Sequence, residues 1–350
     1  MSRERALLYG LLRQRFTAVD QVRVTAICQE GPVDWSRVAD VAVEEGVAPI
    51  VGVNLAQCAA VTATIPARVT TRLQQALFEN VATKLRRRRQ LADGVTLFQE
   101  RGYDVLVLKS AALDAAGVYR HPWVTCARDV DLILRRTPGS APALDEWAVR
   151  ALSRDNGVEC EINGHHDVSI YGLIDLPFDV MWRASTASAL PDSPAQVVHH
   201  LCAEDLLITL CMNACRQRYF RLKALFDVAE TVAHFPGVSW AVVEARARGA
   251  QASGIVFAAL CAVDETIGLP TSTRQAYQRF VSPTRARVIR ALVRATCDSD
   301  SYHWSGVLAL RYAGFTNRQR FLSAQRSALQ WPTRRGHASS QVAHAPRQGQ

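Results

Sequence analysis

Two short segments constrain this chain more than any others: Val105-Leu-Val-Leu-Lys-Ser110 and, a little further on, Arg128-Asp-Val-Asp-Leu-Ile-Leu134. The first is an apolar, Val-rich run ending in Lys-Ser, the pattern of a strand buried on both faces that stops at a turn. The second reads as a strand carrying two aspartates one residue apart. Side chains alternate along a strand, so Asp129 and Asp131 point to one side while Val130 and Leu132 point into the opposite layer. Carboxylates held side by side repel each other and lose hydration. A divalent cation relieves both costs, and hard ions such as magnesium take oxygen ligands. The pattern points to metal-dependent phosphate chemistry.

The hydrophobic period divides the chain. Residues 1–95 have helical spacing, with Leu73, Leu77, Val81 and Leu85 recurring every fourth position as one buried helix face. Val33 to Ala42 predicts a helix with Asp34 as N-cap, Trp35 at its start and Gly46 closing it. After Gly102 the period shortens. Strands are expected over 103–108, 130–134 and 176–182, with a short helix over 111–119. A turn at 137–142 leads into a helix through Leu152, and a hairpin about Asn163-Gly164 joins 157–162 to 167–171. From Ala195 onward four helices are expected, over 204–215, 219–235, 239–248 and 254–268, with Leu269-Pro270 ending the set. The segment from Trp331 has almost nothing apolar and predicts disorder. The fold class expected is therefore α+β. A small mixed β-sheet core (96–190) lies between an N-terminal helical segment (1–95) and a C-terminal helical domain (191–330), followed by a tail (331–350).

A formal charge of +9 suits an anionic partner such as a nucleotide, nucleic acid or membrane surface, although arginines scattered along the chain explain it equally well. Met1 to Phe16 lacks the pattern of a secretory signal, and no window reaches the roughly 18 apolar residues of a membrane span. A cytoplasmic protein without a membrane partner is expected. Nine cysteines with no CxxC pair argue for reduced thiols rather than a zinc ribbon or disulfide frame. Cys211 and Cys215 then read as small buried apolar residues. The run Lys84-Leu-Arg-Arg-Arg-Arg89 reads as a solvated helix face before it reads as a wall for phosphate or RNA, and so do Arg216, Arg218, Arg221 and Lys223. His165-His166 suits a turn better than zinc. No GxxxxGKS, GxGxxG or Gly-x-Ser-x-Gly is present, which argues against P-loop, dinucleotide-binding and common hydrolase readings.

A magnesium site built on Asp129 and Asp131 wants a third carboxylate. Asp179, inside the apolar run Leu176-Pro-Phe-Asp-Val-Met-Trp182, is the best candidate, ahead of Glu161 and Asp175. Here the likeness becomes specific. Leu106-Val-Leu-Lys-Ser-Ala-Ala-Leu113, Tyr119 and Arg128-Asp-Val-Asp-Leu-Ile-Leu134 together resemble the uncharacterised nucleotidyltransferase family, within the DNA polymerase beta-type superfamily. Asp34-Trp35, Phe178-Asp-Val-Met-Trp-Arg183, Glu204-Asp-Leu-Leu and Arg221-Leu-Lys-Ala-Leu-Phe-Asp-Val228 are similar to its flanking blocks. The resemblance implies a nucleoside triphosphate substrate, an acceptor set by the variable helices, and two magnesium ions. It implies that Asp129, Asp131 and Asp179 are the metal-binding acids and that Lys109 and Ser110 face the nucleotide phosphates, with Arg128 expected beside them in place of an arginine the family often carries slightly earlier. Two positions depart from the family pattern: Ser110 where the turn is usually Leu-Lys-Gly, and Thr125 where an arginine often stands. They motivate an alternative, a catalytically degenerate nucleotide- or RNA-binding protein on the same fold.

Overall fold

The computed structural model describes residues 1–126, 130–136, 161–162, 167–170, 174–190, 193–297 and 304–314. The expectations for Arg128 and Asp129, the 137–152 turn and helix, Asn163-Gly164, His165-His166 and the tail from Trp331 lie outside the described residues.

Helices come first: α1 (Arg3–Leu11), α2 (Ala18–Gln29), α3 (Trp35–Glu44), α4 (Ala48–Leu55), α5 (Ala59–Thr62) and α6 (Ala67–Glu100). The start of α3 is the expected one, because the Asp34 carboxylate accepts the Arg37 N–H at 3.0 Å. Its end is also as read. Gly46 takes φ +73°, which lets the Val47 N–H return to the Ala42 carbonyl at 2.8 Å.

In α6 the buried side carries Leu73, Asn80, Lys84, Leu91, Val95 and Phe98, whereas Leu85 is 51% exposed. The expected row through Leu85 fails for a geometric reason. A strict four-residue step overshoots a full turn by about 40°, so the row winds off the core within a few turns. Mixing steps of three, four and seven holds the face and brings Lys84 inside in place of Leu85.

The α/β core follows: β1 (Tyr103–Val107), α7 (Lys109–Ala115), β2 (Asp131–Arg136), β3 (Glu161–Ile162), β4 (Asp167–Ile170), β5 (Ile174–Pro177), α8 (Phe178–Ala184), β6 (Thr186–Leu190) and β7 (Ser193–His200). The main sheet is mixed, in the order β3-β2-β1-β7-β6, and β4 pairs with β5 in a separate two-stranded ribbon. Three expectations are corrected here. The hairpin joins β4 to β5, not β3 to β4, since Val168 meets Leu176 and Ile170 meets Ile174 across the ribbon. β3 instead pairs in parallel with β2 in the main sheet. The strand expected over 176–182 ends at Pro177, and Asp179 lies in the first turn of α8. Phe178 and Met181, three apart, are the buried pair there, a helical spacing that a short apolar run conceals. Finally, β7 occupies a stretch partly read as helical, and it pairs in parallel with the central strand β1, with β6 on its other side.

Beyond the sheet lie α9 (Ala203–Arg216), α10 (Leu222–His234), α11 (Trp240–Gly249) and α12 (Ser253–Thr266). α10 begins later than expected, because Arg218 and Tyr219 adopt left-handed φ of 67° and 63°. The set does not end at Pro270: α13 (Thr271–Tyr277), α14 (Pro283–Cys297) and α15 (Trp304–Gly314) follow. Pro270 stands just before α13, where a missing N–H costs a helix nothing. The architecture is α+β, as expected. Cys211 and Cys215 are buried free thiols, and burial pushes Cys215 up to about 11, so they pack rather than react. No helix among the described residues is long and apolar enough to cross a membrane.

Candidate active site

The antiparallel pairing of β1 with β2 sets the end of one strand beside the start of the other. The Leu108 N–H donates to the Asp131 carbonyl at 3.0 Å, and this bond fixes the two segments that dominate the sequence side by side. Lys109 follows at φ +48°. Its ammonium is ion-paired with the Asp131 carboxylate, which is only 2% exposed. Removing a carboxylate from water costs several kcal/mol unless a cation compensates, and Lys109 supplies one here.

Lys109, Ser110 and Asp131 form one wall of a cavity of about 160 Å³. The opposite wall comes from the C-terminal helices: Asn213 and Gln217 from the end of α9, and Arg221, Lys223 and Asp227 from the start of α10. Glu45 and Gly46 close it from the N-terminal helices. Lys223 Nζ donates to both Asp227 oxygens at 2.8 and 2.6 Å and lies 3.5 Å from Ser110 Oγ. Arg221 Nε sits 3.4 Å from Glu45 Oε2. Three cations (Lys109, Arg221, Lys223) thus face three carboxylates (Glu45, Asp131, Asp227) around the cavity. Left-handed backbone at non-glycine residues costs energy and concentrates where function requires it. Lys109, Arg218 and Tyr219 all adopt it at or next to this cavity.

Tyr119 backs Asp227. It stacks on Phe226 with ring centroids 6.1 Å apart and donates its hydroxyl to Asp227. Burial first, then the Asp227 charge, holds its pKa well above that of an ordinary phenol, so the hydroxyl remains a donor. Behind it, buried Lys84 donates to Asp114 at 3.0 Å and to Thr125 Oγ1 at 2.6 Å, and burial draws its pKa down against the pull of Asp114. Asn80 Nδ2 donates to the Thr125 carbonyl at 3.0 Å. Two residues of the long helix therefore anchor the segment that leads to the aspartate pair. In the basic run, Lys84 is internal and Arg88 lies over the Trp123 ring at 4.8 Å, so it is only partly the solvated face expected.

The structure brings together Lys109, Ser110 and Asp131. Arg128 and Asp129 lie outside the described residues. Asp179 is exposed and stands apart from the cavity lining, ion-paired with Arg135. Arg135 also holds Asp104 at 2.8 Å. Alternation puts Arg135 on the same face of β2 as Asp131, four residues further along. Among the described residues no three carboxylate, histidine or cysteine side chains converge on one point.

Residues 31–268 match the family described as uncharacterised nucleotidyltransferase. The chain belongs to that family. No curated protein and no solved structure matches it. Nucleotidyl transfer is the chemistry the family name carries, and a nucleoside triphosphate is the substrate it implies. Both departures from the nucleotidyltransferase pattern have local explanations. Ser110 does not carry positive φ; Lys109 does, so a serine at 110 meets no conformational objection. Thr125 is buried and its hydroxyl accepts a hydrogen bond from Lys84, which supplies a cation at this point. Sequence reasoning missed Asn213 and Gln217 as wall residues and read Arg221 and Lys223 as solvated. The available signal was Lys223 and Asp227, a charged i, i+4 pair within an otherwise apolar helix stretch.

Proposed function

We propose that this protein transfers a nucleoside monophosphate from a nucleoside triphosphate to a hydroxyl or phosphate on an acceptor, releasing pyrophosphate. The observation that carries this reading is the placement of a Lys-Ser turn and a buried strand aspartate opposite two cations from α10, around one polar cavity. In this reading Lys109, Ser110 and Arg128 hold the triphosphate, with Arg221 and Lys223 facing it. Asp129 and Asp131 hold divalent cations, with two magnesium ions the natural choice, and Asp179, which stands outside the cavity lining, joins them only on leaving Arg135. The donor set suits a hard ion, because Asp131 presents carboxylate oxygens where Lys109 already stands in as the positive partner. When bound, such ions neutralise phosphate charge and lower the pKa of an attacking oxygen.

The charge balance around the cavity favours the same conclusion. A polyphosphate entering a site with equal numbers of cations and carboxylates needs further positive charge to accompany it. As it enters, the Lys109 ammonium exchanges Asp131 for a phosphate oxygen. Asp179 accepts the proton of the acceptor hydroxyl once Arg135 releases it, and Arg135 retains Asp104 after that release. Mass spectrometry of small-molecule, peptide and RNA acceptors, after incubation with each common triphosphate and magnesium, tests the proposal. A mass gain of one nucleotide supports it. Hydrolysis to a free nucleotide with no modified acceptor under any condition contradicts it.

A further inference from the structure

A second cavity, of about 480 Å³, opens between the N-terminal helices and the segment after Tyr119. It is larger than the cavity at Asp131, and its lining shares no residue with that one. Its apolar surface comes from Phe16, Ile50, Val53 and Val124. The polar groups among these walls are already committed to the protein. Asn54 Nδ2 donates to the Leu11 and Arg13 carbonyls at 2.7 Å each, and Gln57 Nε2 donates to Asn54 Oδ1 at 3.2 Å. Gln14 Oε1 accepts the Arg120 N–H at 2.7 Å.

The side chains of Arg15, Arg120 and His121 are different. They border the cavity, are exposed, and make no hydrogen bond or ion pair with another described residue. Among the described residues no carboxylate lines the cavity. The nearby acids are engaged: Asp20 with Arg13 at 3.3 Å, and Glu230 with Gln14 Nε2 at 2.9 Å. Among the described residues, the charged side chains at this opening that make no hydrogen bond or ion pair, Arg15 and Arg120, are therefore cationic, with Arg15 also within the electrostatic reach of partly buried Glu230.

We propose that this cavity is a second binding site, for a small organic anion with an apolar body and one carboxylate or phosphate group. The volume lies within the range of small-molecule sites, which combine apolar walls with a few convergent polar groups. Arginine pairs readily with either oxyanion through its planar fork. Such a site is distinct from triphosphate binding, and its failure would leave the transfer reaction untouched.

Phenyl phosphate is a suitable probe, with phenol as the neutral control, each titrated calorimetrically into the full chain. The expected result is saturable binding of phenyl phosphate, weaker by about ten-fold or more in the Arg15→Ala/Arg120→Ala variant. Both side chains are exposed, so the variant should fold; its melting temperature checks this. Asp131→Asn should leave the affinity unchanged. Phenol binding as tightly as phenyl phosphate would overturn the proposal. So would an affinity that ignores both arginines, or one lost with Asp131→Asn, because the probe would then occupy the catalytic cavity. Benzoate in a parallel titration separates carboxylate from phosphate preference.

Discussion

Lys109 carries two burdens at once: a left-handed backbone costing about 1–2 kcal/mol, and neutralisation of a buried aspartate. A substitution separates them. Lys109→Met keeps the strained backbone and removes the ammonium, so the folded chain should lose about 1–3 kcal/mol in urea denaturation. Millimolar magnesium should recover part of that loss in the variant and change the parent little. A variant as stable as the parent without metal would show that Asp131 does not depend on this cation. Lys109, Ser110 and Asp131 were legible in the sequence because each sits where an apolar run meets a charge, and strand alternation says which side that charge takes. The opposite wall was not legible. Arg221 and Lys223 have the composition of a solvated helix start, and only the packing of α10 on α9, which itself packs on α7, turns them inward. Asp179 was misplaced at the level of element, since a short apolar run containing one acid suits a strand and a helix turn equally.

At the scale of elements, α6 acts as the brace of the site. Its internal Lys84 pairs with Asp114 on α7 and holds Thr125. Lys84→Met alone leaves Asp114 poorly compensated and should cost about 3–5 kcal/mol, whereas Lys84→Met with Asp114→Leu should restore most of it. A double-mutant cycle in urea measures the coupling, and additive losses would deny the pair its bracing role. The sheet has a pH dependence of known sign. Burial holds the His200 imidazole below its ordinary value of 6.5, and the hydrogen bond to Leu201 only partly offsets this. A depressed folded pKa means that the stabilisation is intact above 6.5 and is lost as pH falls through the unfolded value towards the folded one. The urea midpoint should therefore drop between about pH 7.5 and pH 5.5, and His200→Asn should shrink that drop. An undiminished drop would assign the acid sensitivity elsewhere. The N-terminal helices and the early sheet were readable from period and caps. β7 was not, because Gln196-Val-Val-His-His-Leu201 has no alternation to separate it from the helix that follows.

At the scale of the whole molecule, the cavity exists only because three parts of the chain meet: the end of α3, the β1–β2 corner and the α9–α10 junction. That arrangement predicts a division of labour. Arg221→Ala and Lys223→Ala should each raise the KM for triphosphate by about ten-fold, with a smaller change in kcat, because they face the phosphates rather than the metal acids. Their effect should diminish at high salt, as screening weakens partly exposed pairs. An unchanged KM in both variants would place the triphosphate elsewhere. The central claim is that Asp131 belongs to the catalytic machinery and is not merely the partner of Lys109. Its most direct test is release of labelled pyrophosphate from a triphosphate labelled at its terminal phosphates, with magnesium and a mixture of candidate acceptors present. The parent chain should release pyrophosphate, and Asp131→Asn should lose about 100-fold or more of that release with its circular dichroism spectrum unchanged. Equal release by both proteins would contradict the claim.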